Sequence, residues 1–305
     1  MPDDCKKIVA ELPFYFDEPF SDNSAVPTIL VSRLARKDVK VALSADAGDE
    51  TFAGYNSYAS LEKTLKVLEL AKGVHGKGYA KAALVCSRLT NPYSFLREKS
   101  ECFSKLLNVD PHERVATAFE YGGSLMESMY SRLLNIGYPQ PQFVMNDREY
   151  SDPISVGTAI DYINYMPNDI LVKVDRAAMS TSLEGREPLI DHRIIEFAAR
   201  LPIEYKFSKG IKKRIYKDIV YKYIPKEMMD RPKTGFTMPI EDWLKTDLKY
   251  LVEENINPSA LDAELFNVEN VCKIKNLFYQ NKLGHEEKVI WRMLEFQLWY
   301  KYNIV

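Results

Sequence analysis

Apolar residues recur at intervals of three and four along most of this chain, which is the spacing of a helix face and not the alternation of a strand. Leu61, Leu65 and Leu68 line one side of L-E-K-T-L-K-V-L-E-L-A-K. After Pro27, T-I-L-V-S-R-L-A-R sets apolar residues against arginines and predicts a helix. Pro111 to Asn135 reads as a long helix that Gly122-Gly123 interrupts, at about 1 kcal/mol per glycine. From Asp161 to Met179 apolar and charged residues mix without strand alternation. Asp191 is the expected N-cap of H-R-I-I-E-F-A-A-R, which ends before Pro202. I-K-K-R-I-Y-K-D-I-V-Y-K-Y places Ile211, Ile215, Ile219 and Tyr223 on one stripe. The last segment, V-I-W-R-M-L-E-F-Q-L-W-Y-K-Y, is apolar around most of its circumference and is expected to be buried.

Two stretches break this pattern. Pro13 and Pro19 disfavour a continuous helix near the start. V-K-V-A-L, ending at Leu43, is the one convincing core strand. A lone strand cannot satisfy its own backbone, so either further strands are hidden in the sequence or their partners lie in another chain.

With 305 residues, 46% of them hydrophobic and 28% charged, the chain is long enough for one large core or two. A formal net charge of -2 gives no general pull toward nucleic acid or an anionic membrane. No apolar run is long enough to cross a bilayer. Cys5, Cys86, Cys102 and Cys272 form no C-x-x-C pair, the usage of a reduced, cytoplasmic protein. His75, His112 and His285 have no partners at metal-ligand spacing, and His192 reads as a helix-start residue.

Candidate chemistry begins where the strand ends. In V-A-L-S-A-D-A-G-D-E-T-F-A-G-Y, Val41 to Tyr55, three carboxylates fall within five residues, separated by small side chains. A strand that runs through small residues into a helix start is where α/β folds bind ligands. Phosphate suits the free N–H groups of a helix start, but carboxylates repel it unless a divalent cation lies between them. Mg²⁺ takes one or two carboxylates plus phosphate oxygens, which fits Asp46 and Asp49. The alternative reading is that Asp49 and Glu50 only stabilise the helix dipole.

Two further stretches are D-I-L-V-K-V-D-R-A-A-M-S-T-S-L-E-G-R-E-P-L-I-D-H-R-I-I-E-F-A, from Asp169, and R-P-K-T-G-F-T-M-P-I-E-D-W-L, from Arg231. With the acidic loop they resemble the synthetase half of glutamine-dependent asparagine synthetases, and F-D-E-P-F-S-D-N-S-A-V-P is a weaker fourth block. The resemblance implies an α/β, predominantly helical fold with part of an adenine-nucleotide α-hydrolase-like (PP-loop) parallel sheet. Residues 1–60 would belong to that sheet and 61–305 to the helical part. It implies ATP and Mg²⁺ as cofactors, an aspartate-like carboxylate and ammonia as substrates, and an acyl-adenylate between them. On this resemblance Ser44 and Ala45 contact the nucleotide, Asp46 and Lys233 are catalytic, and Asp49 is the metal ligand. Glu184 and Arg186 either line the substrate pocket or form a buried ion pair that fixes their loop. Lys173, Asp175 and Arg176 are open to the same two readings.

The sequence also departs from the family pattern. It contains no S-G-G-x-D-S pyrophosphate loop, and Cys5 does not stand where a glutaminase nucleophile would. A pyrophosphate-loop and glutaminase part, on the same or another polypeptide, is therefore an expected partner, as is a second copy of the chain. Ala45, Ala47 and Ala53 stand where glycine is usual, and any of them needing a positive φ would cost on the order of 1 kcal/mol. Glu187 replaces an apolar residue. Two other readings stay open: a non-catalytic partner subunit, and the same chemistry on another carboxylate.

Overall fold

The computed structural model describes residues 3–72, 78, 82, 85, 95–110, 113–123, 127–137, 152–230, 236, 238–281 and 286–304. Helices dominate. Helix α1 (Asp3–Tyr15) is followed by α2 (Ala25–Ala35), strand β1 (Val41–Leu43), the single turn α3 (Gly48–Thr51) and α4 (Asn56–Lys72). Further helices cover Phe95–Asn108, Arg114–Gly123 and Glu127–Leu133. A continuous helical rod then runs from Pro153 to Met179, π-helical between Asp161 and Ile170 around Pro167. Asp152 starts the rod, its carboxylate accepting from the Ser155 N–H at 2.8 Å ahead of Pro153.

The main core joins the two ends of the sequence. Ile8, Val9 and Leu12 of α1 and Val26 and Ile29 of α2 are fully buried with Leu244, Val252, Ile274, Ile290 and Leu294. The last helix, Glu286–Asn303, lies in the middle of this cluster, as its nearly all-round apolar pattern requires. Each such side chain contributes roughly 1.5–3 kcal/mol on burial. Leu61 and Leu68 of α4 are buried in smaller clusters with Val156 and Leu106, and Leu65 packs beside them.

No continuous helix runs through the proline stretch, since α1 stops at Tyr15 before Pro19 and α2 starts at Ala25, but Pro13 itself lies inside α1. It falls in the last turn and is itself buried beside Cys5, Ile8, Val9 and Leu12, so tertiary burial outweighs the lost hydrogen bond. The stripe from Ile211 to Tyr223 is also different. Ile211 belongs to a short antiparallel hairpin of β3 (Phe207–Ser208) and β4 (Ile211–Lys212), and the helix starts only at Arg214. Ile219 and Tyr223 are exposed. Asp191 does cap the helix His192–Arg200, accepting from the Arg193 N–H at 2.9 Å.

The missing strand partner is within the chain. β1 pairs in parallel with β2 (Glu184–Arg186), in the register Val41↔Glu184, Ala42↔Gly185 and Leu43↔Arg186. The pattern of E-G-R gives no strand signal, since neither its composition nor its alternation matches. Nor is β1 a buried strand. Val41 is 40% and Leu43 75% exposed, and Val39, Leu34 and Val31 are exposed as well. Among the described residues the sheet has only these two strands.

Candidate functional site

The parallel pair brings two of the sequence motifs together. The Glu184 N–H donates to the Lys40 carbonyl and the Ser44 N–H to the Arg186 carbonyl, each at 2.9 Å, so the ladder extends one step beyond each end of β1. The acidic loop thus leaves the sheet beside S-L-E-G-R-E-P. Ser44 donates its hydroxyl to an Asp46 oxygen, and the Asp46 N–H returns to Ser44 Oγ at 3.3 Å. Ala45 is exposed at the crest of the loop. Ala47 takes φ 65° and turns the chain into α3, where Thr51 bonds the Ala47 carbonyl through both its N–H and its hydroxyl. Ala53 takes φ 52° at the far end, whereas Ala45 has no positive φ.

The three loop acids fall into three environments. Asp46 is half-buried on Ser44. Asp49 pairs with Lys213, Nζ to Oδ1 at 3.0 Å. Glu50 is 1% exposed and accepts from the Tyr55 hydroxyl at 2.5 Å. Burial, with the nearby Asp49 charge adding to it, pushes the Glu50 carboxyl up. Glu50 is therefore an internal acid facing tyrosines, not part of the ligand-facing surface. Around it Tyr58 donates to Asp161 at 2.5 Å, Thr51 and Tyr162 share a 2.5 Å hydrogen bond, and Tyr55 packs edge-on against Tyr165. Burial raises Asp161 to about 6.

Glu184 and Arg186 do form an ion pair, at 2.7 Å, but both side chains are more than half exposed, so it is not a buried one. Their neighbour Glu187 faces the loop: burial first, and then the Asp46 charge, push its carboxyl up. The F-D-E-P-F-S-D-N block joins the stretch from Asp169 more deeply. Lys173 reaches Asp22 at 2.8 Å, and Arg176 pairs with Asp17. Burial opposes ionisation of Asp22, but Lys173 and Ser24 outweigh it and hold the carboxyl below its usual range. Burial and the adjacent Asp22 charge raise Asp169 to about 7. Asp22, Asp169, Tyr165, Trp291 and Arg292 line a cavity of about 570 Å³.

Lys233, with the histidines 75, 112 and 285 and Cys86, lies outside the described residues. Phe236 of the same R-P-K-T-G-F block is exposed. Lys213 was not legible as a site residue, its only signal being the basic run I-K-K-R.

A family model, described as asparagine synthase, matches residues 1–301. The chain belongs to the asparagine synthase family. Glutamine-hydrolysing asparagine synthetase 1 of Bacillus subtilis is 29% identical over 310 residues, covering 99% of this chain and 47% of the relative. Asparagine synthetase 3 of the same organism is 32% identical over 95 residues, 28% of this chain and 16% of the relative. The human glutamine-hydrolysing asparagine synthetase is 28% identical over 121 residues, 37% of this chain and 21% of the relative. This chain of the asparagine synthase family thus spans about half the length of that first Bacillus subtilis relative.

The likeness to asparagine synthetases suggests Mg²⁺, and the donor set can be tested for that ion. Among the described residues no group of three or more His, Cys, Asp or Glu could hold a metal. Asp49 offers one half-buried carboxylate at the start of α3, three residues from Asp46. One or two carboxylates suit a Mg²⁺ that takes its other ligands from phosphate and water, so the residues fit the ion in that form and not as an all-protein cage.

Proposed function

We propose that this chain carries the acyl-activating wall of an ATP-dependent amide-forming ligase. A substrate carboxylate oxygen attacks the α-phosphorus of ATP, the bond to the bridging oxygen breaks, and pyrophosphate leaves. Ammonia then attacks the acyl carbon, loses a proton, and the original carboxylate oxygen departs on AMP. Aspartate is the acceptor favoured by the likeness to asparagine synthetases.

The roles proposed for the side chains combine the likeness to the family with the arrangement of the loop. Ser44 and Ala45 form the crest on which the nucleotide rests, and Ser44 fixes the rotamer of Asp46 by hydrogen bonding. Asp46, between Ser44 and the Glu187 carboxyl, takes a proton from the attacking ammonia in this reading. Asp49 is the carboxylate available to a divalent cation, which when bound neutralises charge on the leaving pyrophosphate. Lys233 supplies a mobile positive charge to the same oxygens. Glu184 and Arg186 lie on the rim, where Arg186 can face a substrate carboxylate.

The observation that carries this reading is the β1–β2 pairing, which sets the Ser44–Asp49 loop beside Glu184–Glu187. The sheet needs completion. The exposed Leu43, Val41 and Val39 offer an apolar face for a pyrophosphate-loop part, in a reducing, cytoplasmic setting. Residues 1–60 would then be one wall of that sheet and 61–305 the helical part. Among the described residues no helix is long and apolar enough to cross a membrane.

A second reading, a non-catalytic partner subunit, is favoured by alanines in left-handed backbone at positions 47 and 53. The test is the completed protein with ATP, Mg²⁺, ammonia and a panel of acids. AMP and pyrophosphate with one acid support the ligase; ADP, or no turnover with any acid, contradicts it.

A further inference from the structure

Asp49 already has a cation beside it. Lys213 Nζ lies 3.0 Å from its Oδ1, and the two side chains keep 25% and 22% of their surface exposed. The backbone aims this lysine. The β3–β4 hairpin delivers it, its own φ is 54°, and its N–H donates to the Phe52 carbonyl at 3.2 Å. Gly54 makes the close approach possible: a Cβ there would lie 1.9 Å from Asp49 Oδ1 and 2.2 Å from Lys213 Cε. Gly54 also donates its N–H to the Asp49 carbonyl at 2.7 Å, so the loop is folded tightly around the pair.

We propose that Lys213 is a displaceable counter-cation for Asp49, holding its carboxylate when no divalent cation is present and yielding it when one arrives. Lysine suits this, being a point charge on a flexible stem. The partial exposure of both side chains leaves room for exchange. Once released, the ammonium remains within reach of a phosphate bound at Asp49. Lys213 is thereby a positioning residue, acting on the metal through Asp49. The purpose of the exchange rests on the ligase reading, but the competition itself does not.

The test uses the whole chain and Mn²⁺ alone, followed by the electron paramagnetic resonance of free Mn²⁺. Lys213→Met is expected to bind Mn²⁺ about tenfold more tightly than the unsubstituted chain, because an adjacent unit charge is removed. Lys213→Arg keeps the charge and the weak binding. The gain disappears when Asp49→Asn is added. Equal Mn²⁺ affinity with and without Lys213→Met, or a gain that survives Asp49→Asn, overturns the proposal. If Lys213→Met does not fold, the ¹³Cε resonance of Lys213 in the unsubstituted chain is followed as Mg²⁺ and pyrophosphate are added. A shift supports displacement, and an unmoved resonance while Asp49 neighbours respond overturns it. If AMP and pyrophosphate form but Mn²⁺ binding ignores Lys213, this inference falls and the ligase reading stands. If Mn²⁺ binding responds and no adenylate chemistry occurs, the reverse holds.

Discussion

Lys173 holds Asp22 across 151 positions of sequence, Nζ to Oδ2 at 2.8 Å, with the side chains 10% and 17% exposed. Removing one partner of a pair this enclosed leaves a desolvated charge. Lys173→Met is expected to destabilise the fold by about 3–5 kcal/mol, measured by urea unfolding. The double variant with Asp22→Asn loses less than the sum of the singles. A loss below about 1 kcal/mol for Lys173→Met would mean the pair is solvated.

Asp161 gives a pH signature. Burial raises its carboxyl from the ordinary 3.8 to about 6 in the folded chain. Between those values the folded state binds more protons than the unfolded one. The stability from this group is therefore complete below 3.8 and lost as the pH rises through 6. Asp161→Asn removes that dependence. The stability difference between the two chains should change by roughly 2 kcal/mol between pH 4 and 7. A difference constant with pH would contradict the assignment.

Ala47 and Gly54 make opposite predictions within one loop. At φ 65° an alanine is strained, so Ala47→Gly is expected to stabilise by about 1 kcal/mol in thermal unfolding. Gly54→Ala is expected to destabilise, because the new methyl would occupy the space of the Asp49–Lys213 contact. It would also weaken that ion pair, which the Mn²⁺ assay reads directly.

Leu43, 75% exposed on β1, tests the apolar face. Leu43→Glu should lower affinity for a complementary pyrophosphate-loop polypeptide about tenfold or more in calorimetric titration, with its own unfolding midpoint unchanged. Unaltered affinity would place the partner elsewhere.

Much of the helical architecture was legible because helix faces repeat over many residues. The Leu61–Leu68 face, the Asp191 cap and the buried last helix are plain in the sequence and in the fold alike. Short elements were not. E-G-R has no strand composition and pairs only because β1 offers an open edge, so a tertiary contact decides it. The break that the prolines signal is present after Tyr15, but Pro13 itself is held inside α1 because packing outweighs its local penalty. In the site, the sequence singled out Asp46 and Asp49 as candidates; Asp46 lies on the loop and Asp49 in the first turn of α3. The separate burial of Glu50 and the arrival of Lys213 depend on Tyr55 and on a distant hairpin. No local pattern encodes either. The strain anticipated at the alanines is present at 47 and 53, where the loop enters and leaves α3, and not at 45.

The central claim is acyl-adenylate chemistry at the Ser44–Asp49 loop, and oxygen transfer tests it most directly. The chain, completed with a pyrophosphate-loop part, is incubated with ATP, Mg²⁺, ammonia and aspartate labelled with ¹⁸O in its side-chain carboxylate. Mass spectrometry of the nucleotide is expected to find AMP carrying one ¹⁸O, lost when Asp49→Asn is introduced. Unlabelled AMP, or ADP in its place, would contradict the account.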